Sequence, residues 1–275
     1  MLNNNPNLIS NINADNPILK KAKEGDVEAQ RVIGLDYIHG TGIEKNEAEG
    51  MKWLHEAAEN GYVLAQFNLA VCYEIGDGVE KDAEKAVKFY TKAADQGLAG
   101  AQNKLGEHYE NGDGVEKNVE KAVELYKKAA GHGEYSAQFN LGECYAYGDG
   151  VEKDMAKAAD LYKQAAKQGH PKAQYRLGAC YAKGTGVEQD TGMAVKWWRK
   201  AARQGNTCAQ FHLGDCYAFG NGVEKNEAEA VKLYRRAAKK GCPGAEDGLM
   251  SLVEEELPAN TPHDHEKEEG DQNKK

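Results

Sequence analysis

Along the 275-residue chain one short pattern returns every 36 residues without slippage. Gly40-Thr-Gly42, Gly76-Asp-Gly78, Gly112-Asp-Gly114, Gly148-Asp-Gly150, Gly184-Thr-Gly186 and Gly220-Asn-Gly222 carry it, and the dipeptide Ala-Gln keeps the same beat from Ala29-Gln30 to Ala209-Gln210. A fixed period of this size means stacked copies of one supersecondary unit, so each copy must bury its apolar face against its neighbours.

One unit, residues 64–99, reads as a helical hairpin. Ala65, Leu69, Cys72 and Tyr73 form an apolar stripe at helical spacing on a first helix, A. Gly76-Asp-Gly78 stops it, because glycine tolerates the left-handed conformation of helix ends. Asp82 is placed to cap a second helix, B, as are Asn46, Asn118, Asp154, Asp190 and Asn226 in the other units. Glu49 and Glu229 stand where a capping box would be completed. Ala86, Phe89, Tyr90, Ala93 and Ala94 make the buried stripe of helix B. Residues 16–25 read as a lone helix B and 245–256 as a lone helix A, which gives fourteen helices. No strand-like alternation is seen.

The pattern Ala-Gln-x-x-Leu-Gly-x-x-Tyr-x-x-Gly-x-Gly-Val-x-x-Asp/Asn…Ala…Tyr-x-x-Ala-Ala-x-x-Gly resembles the Sel1-like repeat, a relative of the tetratricopeptide repeat, over roughly residues 16–256. The resemblance implies an all-α fold, a right-handed α/α superhelix of helical hairpins, and a role in holding other proteins together. The domain plan expected is a disordered lead at 1–15, a solenoid at 16–256 and a disordered acidic tail at 257–275.

Net charge is −9; from Glu254 onwards eight acids face three lysines, so about half of it lies in the tail. No basic stripe is visible, which disfavours nucleic acid and anionic membrane surfaces as partners. The N-terminus has neither the basic nor the apolar region of a signal peptide. A soluble cytoplasmic monomer is therefore expected, with secretion by a signal-independent route as the alternative. Cys72, Cys144, Cys180 and Cys216 share one column of helix A. Columns one repeat apart stand about 8–10 Å from each other, beyond the ~4.4–6.8 Å that a disulfide spans, so these read as small core residues. Cys208 and Cys242 lie outside the column and their pairing stays open.

Catalytic chemistry finds little support. The loop lacks the lysine–hydroxyl pair of a phosphate-binding loop, and its single acid is replaced by Thr41, Thr185 or Asn221 in other copies, against a calcium loop. A cysteine-rich branch of the resembled family is linked to β-lactam binding, but none of Ser10, Ser136 and Ser251 is followed by lysine three residues on. His108 shares the cysteine column in a different repeat, which separates it from every thiol. The reading is no enzyme, no cofactor and no metal; His263 and His265 make at most an unselective pair in the tail. His39, His55, His132, His170 and His212 read as surface residues. The invariant Tyr column (37, 73, 109, 145, 181, 217) reads as scaffold, its hydroxyls reaching loop carbonyls or water.

Recognition is sought instead in columns that vary. One reads Arg31, Phe67, Asn103, Phe139, Tyr175, Phe211; the next Leu35, Val71, Glu107, Glu143, Ala179, Asp215; the third His39, Ile75, Asn111, Tyr147, Lys183, Phe219. By analogy with tetratricopeptide superhelices this side lines a concave groove. The candidate contact set for a protein or peptide partner is Arg31, Phe67, Val71, Asn103, Glu107, Phe139, Glu143, Tyr147, Tyr175, Lys183, Phe211 and Phe219. Against it stands the reading that the helix A aromatics are ordinary inter-helix packing.

Overall fold

The computed structural model describes residues 16–255. They form fourteen α-helices and, among the described residues, no strand. A lone helix B opens the series, α1 (Pro17–Lys23). The six hairpins follow as α2 (Val27–His39) with α3 (Glu47–Glu59), α4 (Val63–Ile75) with α5 (Ala83–Asp95), α6 (Ala99–Asn111) with α7 (Val119–Gly131), α8 (Tyr135–Tyr147) with α9 (Met155–Lys167), α10 (Pro171–Lys183) with α11 (Thr191–Arg203), and α12 (Thr207–Phe219) with α13 (Glu227–Ala238). A lone helix A, α14 (Ala245–Glu255), closes it. None of the described helices is long and apolar enough to cross a membrane. The lead and the acidic tail expected at 1–15 and 257–275 lie outside the described residues. Two compact units divide the chain at Asp190/Thr191, between helix A and helix B of the fifth repeat.

In the first unit every hairpin closes the same way. Helix α4 ends at Gly76, whose φ of 80° is left-handed, and the N–H groups of Gly76 and Asp77 both donate to the Cys72 carbonyl, at 2.8 and 3.0 Å. Asp82 then acts twice: its N–H donates to the Tyr73 carbonyl at 2.9 Å, and its Oδ1 accepts from the Lys85 N–H at 2.9 Å. Asn46, Asn118 and Asp154 repeat both bonds. The capping box expected at Glu49 does not form. The Asn46 N–H is already taken by the Tyr37 carbonyl, and the Glu49 carboxylate turns to Lys52 at 3.3 Å.

Stacking uses the second glycine of each loop. A Cβ on Gly114 would lie 2.3 Å from the carbonyl carbon of Ala83, and one on Gly186 would lie 2.0 Å from the Met155 oxygen. The loops at Gly114, Gly150 and Gly186 thus rest on the first turn of the preceding repeat's helix B, with no room for a side chain, whereas Gly78 lies against the Ile38 side chain and Gly42 is open. The Ala-Gln motif works at the opposite end of helix B. The buried Gln66, Gln102 and Gln174 donate their Nε2 to the carbonyls of Ala58, Ala94 and Ala166 at 3.1–3.2 Å. These carbonyls lie in the last turn of helix B, past the reach of its i+4 amides, and also accept from the N–H groups of Gly61, Gly97 and Gly169.

In the third and fourth hairpins, helices A and B meet glycine against tyrosine. Gly106 and Gly142 let the rings of Tyr126 and Tyr162 approach so closely that a Cβ would stand 2.5 and 2.8 Å from them. The second unit uses the same devices. Gly214 lies under Tyr234, Gly222 against Thr191, and Gln210 donates to the Ala202 carbonyl at 3.2 Å. Its core gathers Ala218, Ala230, Tyr234 and Leu252, with Phe211 and Leu249 beside them.

The invariant tyrosines are scaffold with a different polar ending from the one expected. The Tyr73 hydroxyl meets His55 Nε2 at 3.0 Å, the Tyr109 hydroxyl accepts from Lys121, and Arg199 donates to the Tyr217 hydroxyl at 3.0 Å. In these three, helix B side chains rather than loop carbonyls satisfy the hydroxyl. His55 and His170 are likewise not surface residues. His55 is half-buried against Phe89, and His170 packs on Phe139 with ring centroids 4.7 Å apart while its Nδ1 caps α10. Burial holds both imidazoles below their ordinary pKa, with nearby lysines adding to the effect.

Two outcomes are expected. Gly114→Ala combines left-handed strain of about 1–2 kcal/mol with a backbone clash, whereas Gly42→Ala, open around its Cβ, carries the strain alone. Urea unfolding should therefore show a clearly larger loss for Gly114→Ala; equal losses would mean that the second glycine serves only the turn. For the histidines, a folded pKa below the unfolded value of ~6.5 means that the unfolded chain takes up the proton more readily. Stability should be intact above pH 6.5 and fall as the pH drops below it, and His55→Gln should flatten that fall in melts from pH 7 to 5.

Candidate functional site

Helix A exposes one face, and in the first unit that face is set by the tyrosines beneath it. Tyr90, Tyr126 and Tyr162 are 2% exposed or less, so each hydroxyl needs a partner inside the hairpin. Glu74 accepts from Tyr90, Glu110 from Tyr126 at 2.6 Å, and Glu143 from Tyr162. Burial and the acceptor carboxylate raise all three tyrosines far above the usual phenol range. In the second unit Asp215 accepts from Tyr234 at 2.8 Å.

Two of these half-buried acids, Glu74 and Glu143, recruit cations from the next repeat. Lys104 reaches back to Glu74 at 3.2 Å and forward along its own helix to Glu107 at 3.2 Å. Burial alone would raise the Glu74 carboxyl, but the Tyr90 hydroxyl and Lys104 outweigh it and hold the group below its ordinary pKa. Asn140 donates to Asn103 Oδ1 at 3.0 Å, and Asn103 donates to Glu107 Oε1 at 2.9 Å. Arg176 donates to Glu143 at 2.7 Å and to the Tyr147 hydroxyl at 2.9 Å. The column Lys104, Asn140, Arg176 therefore ties successive A helices together. Sequence reading passed over it, although each member stands one position after the first variable column.

The predicted contact residues separate by exposure. Asn103 and Phe139 are 5% and 9% exposed and are closed to a partner. Phe67 and Phe139 lie against Tyr90 and Tyr162 with centroids 5.7 and 5.9 Å apart, and Phe211 lies against Tyr234 at 5.9 Å, so packing within the hairpin accounts for these three. Arg31, Val71 and Tyr175 are half-buried, as are Glu107 and Glu143 within the polar ladder. Only the third column is open: Ile75 is 63%, Tyr147 59% and, in the second unit, Phe219 70% exposed, and Lys183 is exposed as well. Beside this column in the first unit lies a cavity of about 170 Å³, lined by Glu74, Lys81, Ala83, Glu107, His108, Asn111 and Asp113.

The four buried thiols of the helix A column are held in their neutral form. Burial pushes Cys72 up to about 11, Cys144 to about 12 and Cys216 to about 11, and raises Cys180 as well. All six cysteines are free, Cys208 and Cys242 included.

Comparison with known proteins agrees with the architecture. The Sel1 repeat family matches six times, at residues 27–62, 63–98, 99–134, 136–170, 171–206 and 209–242. Among solved structures the chain is similar to c5321, a protective antigen of uropathogenic Escherichia coli with an SLR fold, at 36% identity and a TM-score of 0.82. That match covers 86% of this chain but 51% of the antigen, so the chain spans about half of that relative's length. A Sel1 repeat protein from Oxalobacter formigenes is 38% identical with a TM-score of 0.72, over 81% of this chain and 88% of that one. Among curated proteins, none matches the chain. Sel1 repeats generally serve as protein-interaction scaffolds and are typically non-enzymatic. Six in-phase matches across the helical hairpins leave no ambiguity about kinship, and the chain belongs to the Sel1 repeat family.

Proposed function

We propose that the chain is a non-catalytic adaptor that docks a partner protein on the exposed face of its A helices, with the first unit supplying the main surface. The observation that carries this reading is the contrast within one helix face. Phe67 and Phe139 are spent on packing, while Ile75 and Tyr147, at one register position two repeats apart, stay more than half exposed. Large apolar side chains left open beside a fixed polar ladder are the ordinary anchors of a protein interface. The charges of that ladder are already paired, so they give register and selectivity rather than bulk affinity.

A reducing, cytoplasmic setting fits the six free thiols. The 36% identity to a protective antigen favours export as a second reading, and fractionation of the source organism with antibody detection separates the two.

Affinity capture with mass spectrometry tests the docking face. Ile75→Asp with Tyr147→Asp should remove the partner recovered by the wild type while leaving the melting midpoint almost unchanged, as surface substitutions usually stay within about 0.5 kcal/mol. Phe139→Ala is the opposite control: it should cost about 3 kcal/mol of stability, because it opens a cavity against Tyr162 and His170. A double variant that keeps its partner at wild-type yield would overturn the assignment of this face.

A further inference from the structure

Whole-chain charge hides a local reversal. Of the chain's six arginines, four lie in the two B helices of the second unit, α11 and α13. Helix α11 holds Lys196, Arg199, Lys200 and Arg203 and not one acid, within a chain whose net charge is −9. Arg199, Arg203 and Arg236 line a cavity of about 260 Å³ where α11, α12 and α13 meet.

This concentration is particular to the junction. At the Arg203 position the four preceding repeats hold Glu59, Asp95, Gly131 and Lys167, and at the Arg199 position His55, Thr91, Lys127 and Lys163. Arginine stands at all three positions only here.

The lining leaves these charges unmet. Arg199 is half-buried and fixed, its guanidinium donating to the Tyr217 hydroxyl at 3.0 Å. That bond spends one donor of five on a neutral oxygen. Arg203 and Arg236 are exposed, and no ion pair reaches their side chains among the described residues. The single acid of the lining, Glu229, is engaged by Lys232 at 3.2 Å. Three guanidiniums against one carboxylate leave the lining with two positive charges in excess.

A counterpart exists in the same chain. Residues 256–275 lie outside the described residues and carry six acids against three lysines. Five of the six, Asp264, Glu266, Glu268, Glu269 and Asp271, fall within eight residues. We infer that this acidic stretch occupies the arginine cavity, its carboxylates meeting the Arg203 and Arg236 guanidiniums in bidentate pairs.

Reach permits it. Helix α14 ends at Glu255 and packs on α13, one wall of the cavity. The nine residues from Glu255 to Asp264 cover up to ~30 Å when extended, against a helix spacing of about 8–10 Å. Tethering favours it as well, since a segment joined by a short linker stands at roughly millimolar effective concentration. A free carboxylate or phosphate suits the same guanidinium forks but must compete with that tethered segment. The site is built on B helices and is independent of the docking face proposed for the A helices.

The test uses the full-length chain, ¹⁵N-labelled in arginine and followed through its side-chain Nε–H resonances. A comparison variant of the same length replaces the six acids by amides: Glu256→Gln, Asp264→Asn, Glu266→Gln, Glu268→Gln, Glu269→Gln and Asp271→Asn. At about 0.05 M NaCl the Arg203 and Arg236 resonances should differ between the two proteins while those of Arg31 and Arg176 coincide, and the difference should vanish at about 0.5 M. Inorganic phosphate should move the two resonances further in the amide variant, whose cavity lacks its acids. Digestion with a glutamate-specific protease gives a second readout. Arg203→Gln with Arg236→Gln should speed cleavage after Glu268 roughly fivefold, the scale of two partly exposed ion pairs acting together, with the melting midpoint unchanged.

Arginine resonances indifferent to the amide substitutions would overturn the assignment, as would a cleavage rate unmoved by the arginine variant. A resonance difference that disappears on dilution would overturn it in favour of the acidic stretch of a second copy. Phosphate shifts equal in the two proteins would overturn it in favour of a free anion.

Discussion

Much of the exposed face descends from the tyrosine that helix B buries against helix A. At Gly106, Gly142 and Gly214 a glycine lets two helices close until no Cβ would fit, and the ring fills the gap; in the second repeat the same position is Ala70. Burying such a ring is worth about 1.5–3 kcal/mol, but leaving its hydroxyl unpaired in the interior costs ~1–3 kcal/mol, enough to cancel the gain. An acceptor must therefore accompany each tyrosine. Glu74, Glu110, Glu143 and Asp215 supply it. Because these carboxylates are only half-covered, they attract Lys104 and Arg176 from neighbouring helices. A packing requirement thus generates the polar ladder beside which a partner docks.

The exceptions follow the same logic. The first repeat has Leu54 in place of the tyrosine, and its two acceptor positions hold Leu35 and Ile38. The fifth has Trp198, and its sequence carries Ala179 and Ala182 there. Acids appear where a hydroxyl needs them and vanish where none does. Glu107 breaks this rule, as the one acid at these positions with no hydroxyl to serve.

The hairpin was plainly legible in the sequence. The 36-residue period, the glycine after each helix A and the Asn or Asp before each helix B are local signals, and local backbone chemistry decides them. The face was less legible, because helical periodicity gives a direction around the axis and not what lies in that direction. Phe139 and Tyr147 both belong to the variable side of α8. One is covered by Tyr162 and His170, while the other, the last residue of α8, stays 59% exposed. The capping box at Glu49 failed for a similar reason, since the Tyr37 carbonyl reached the same N–H first.

By itself, then, the sequence determined the repeat, its two helices, their ends and the small residues that let them pack, because these depend on neighbours in the chain. Only the tertiary structure decided which aromatics are core and which are open. It also paired each hydroxyl with an acid of the facing helix. Those outcomes depend on distances between residues one helix or one repeat apart, which a periodic sequence repeats without measuring.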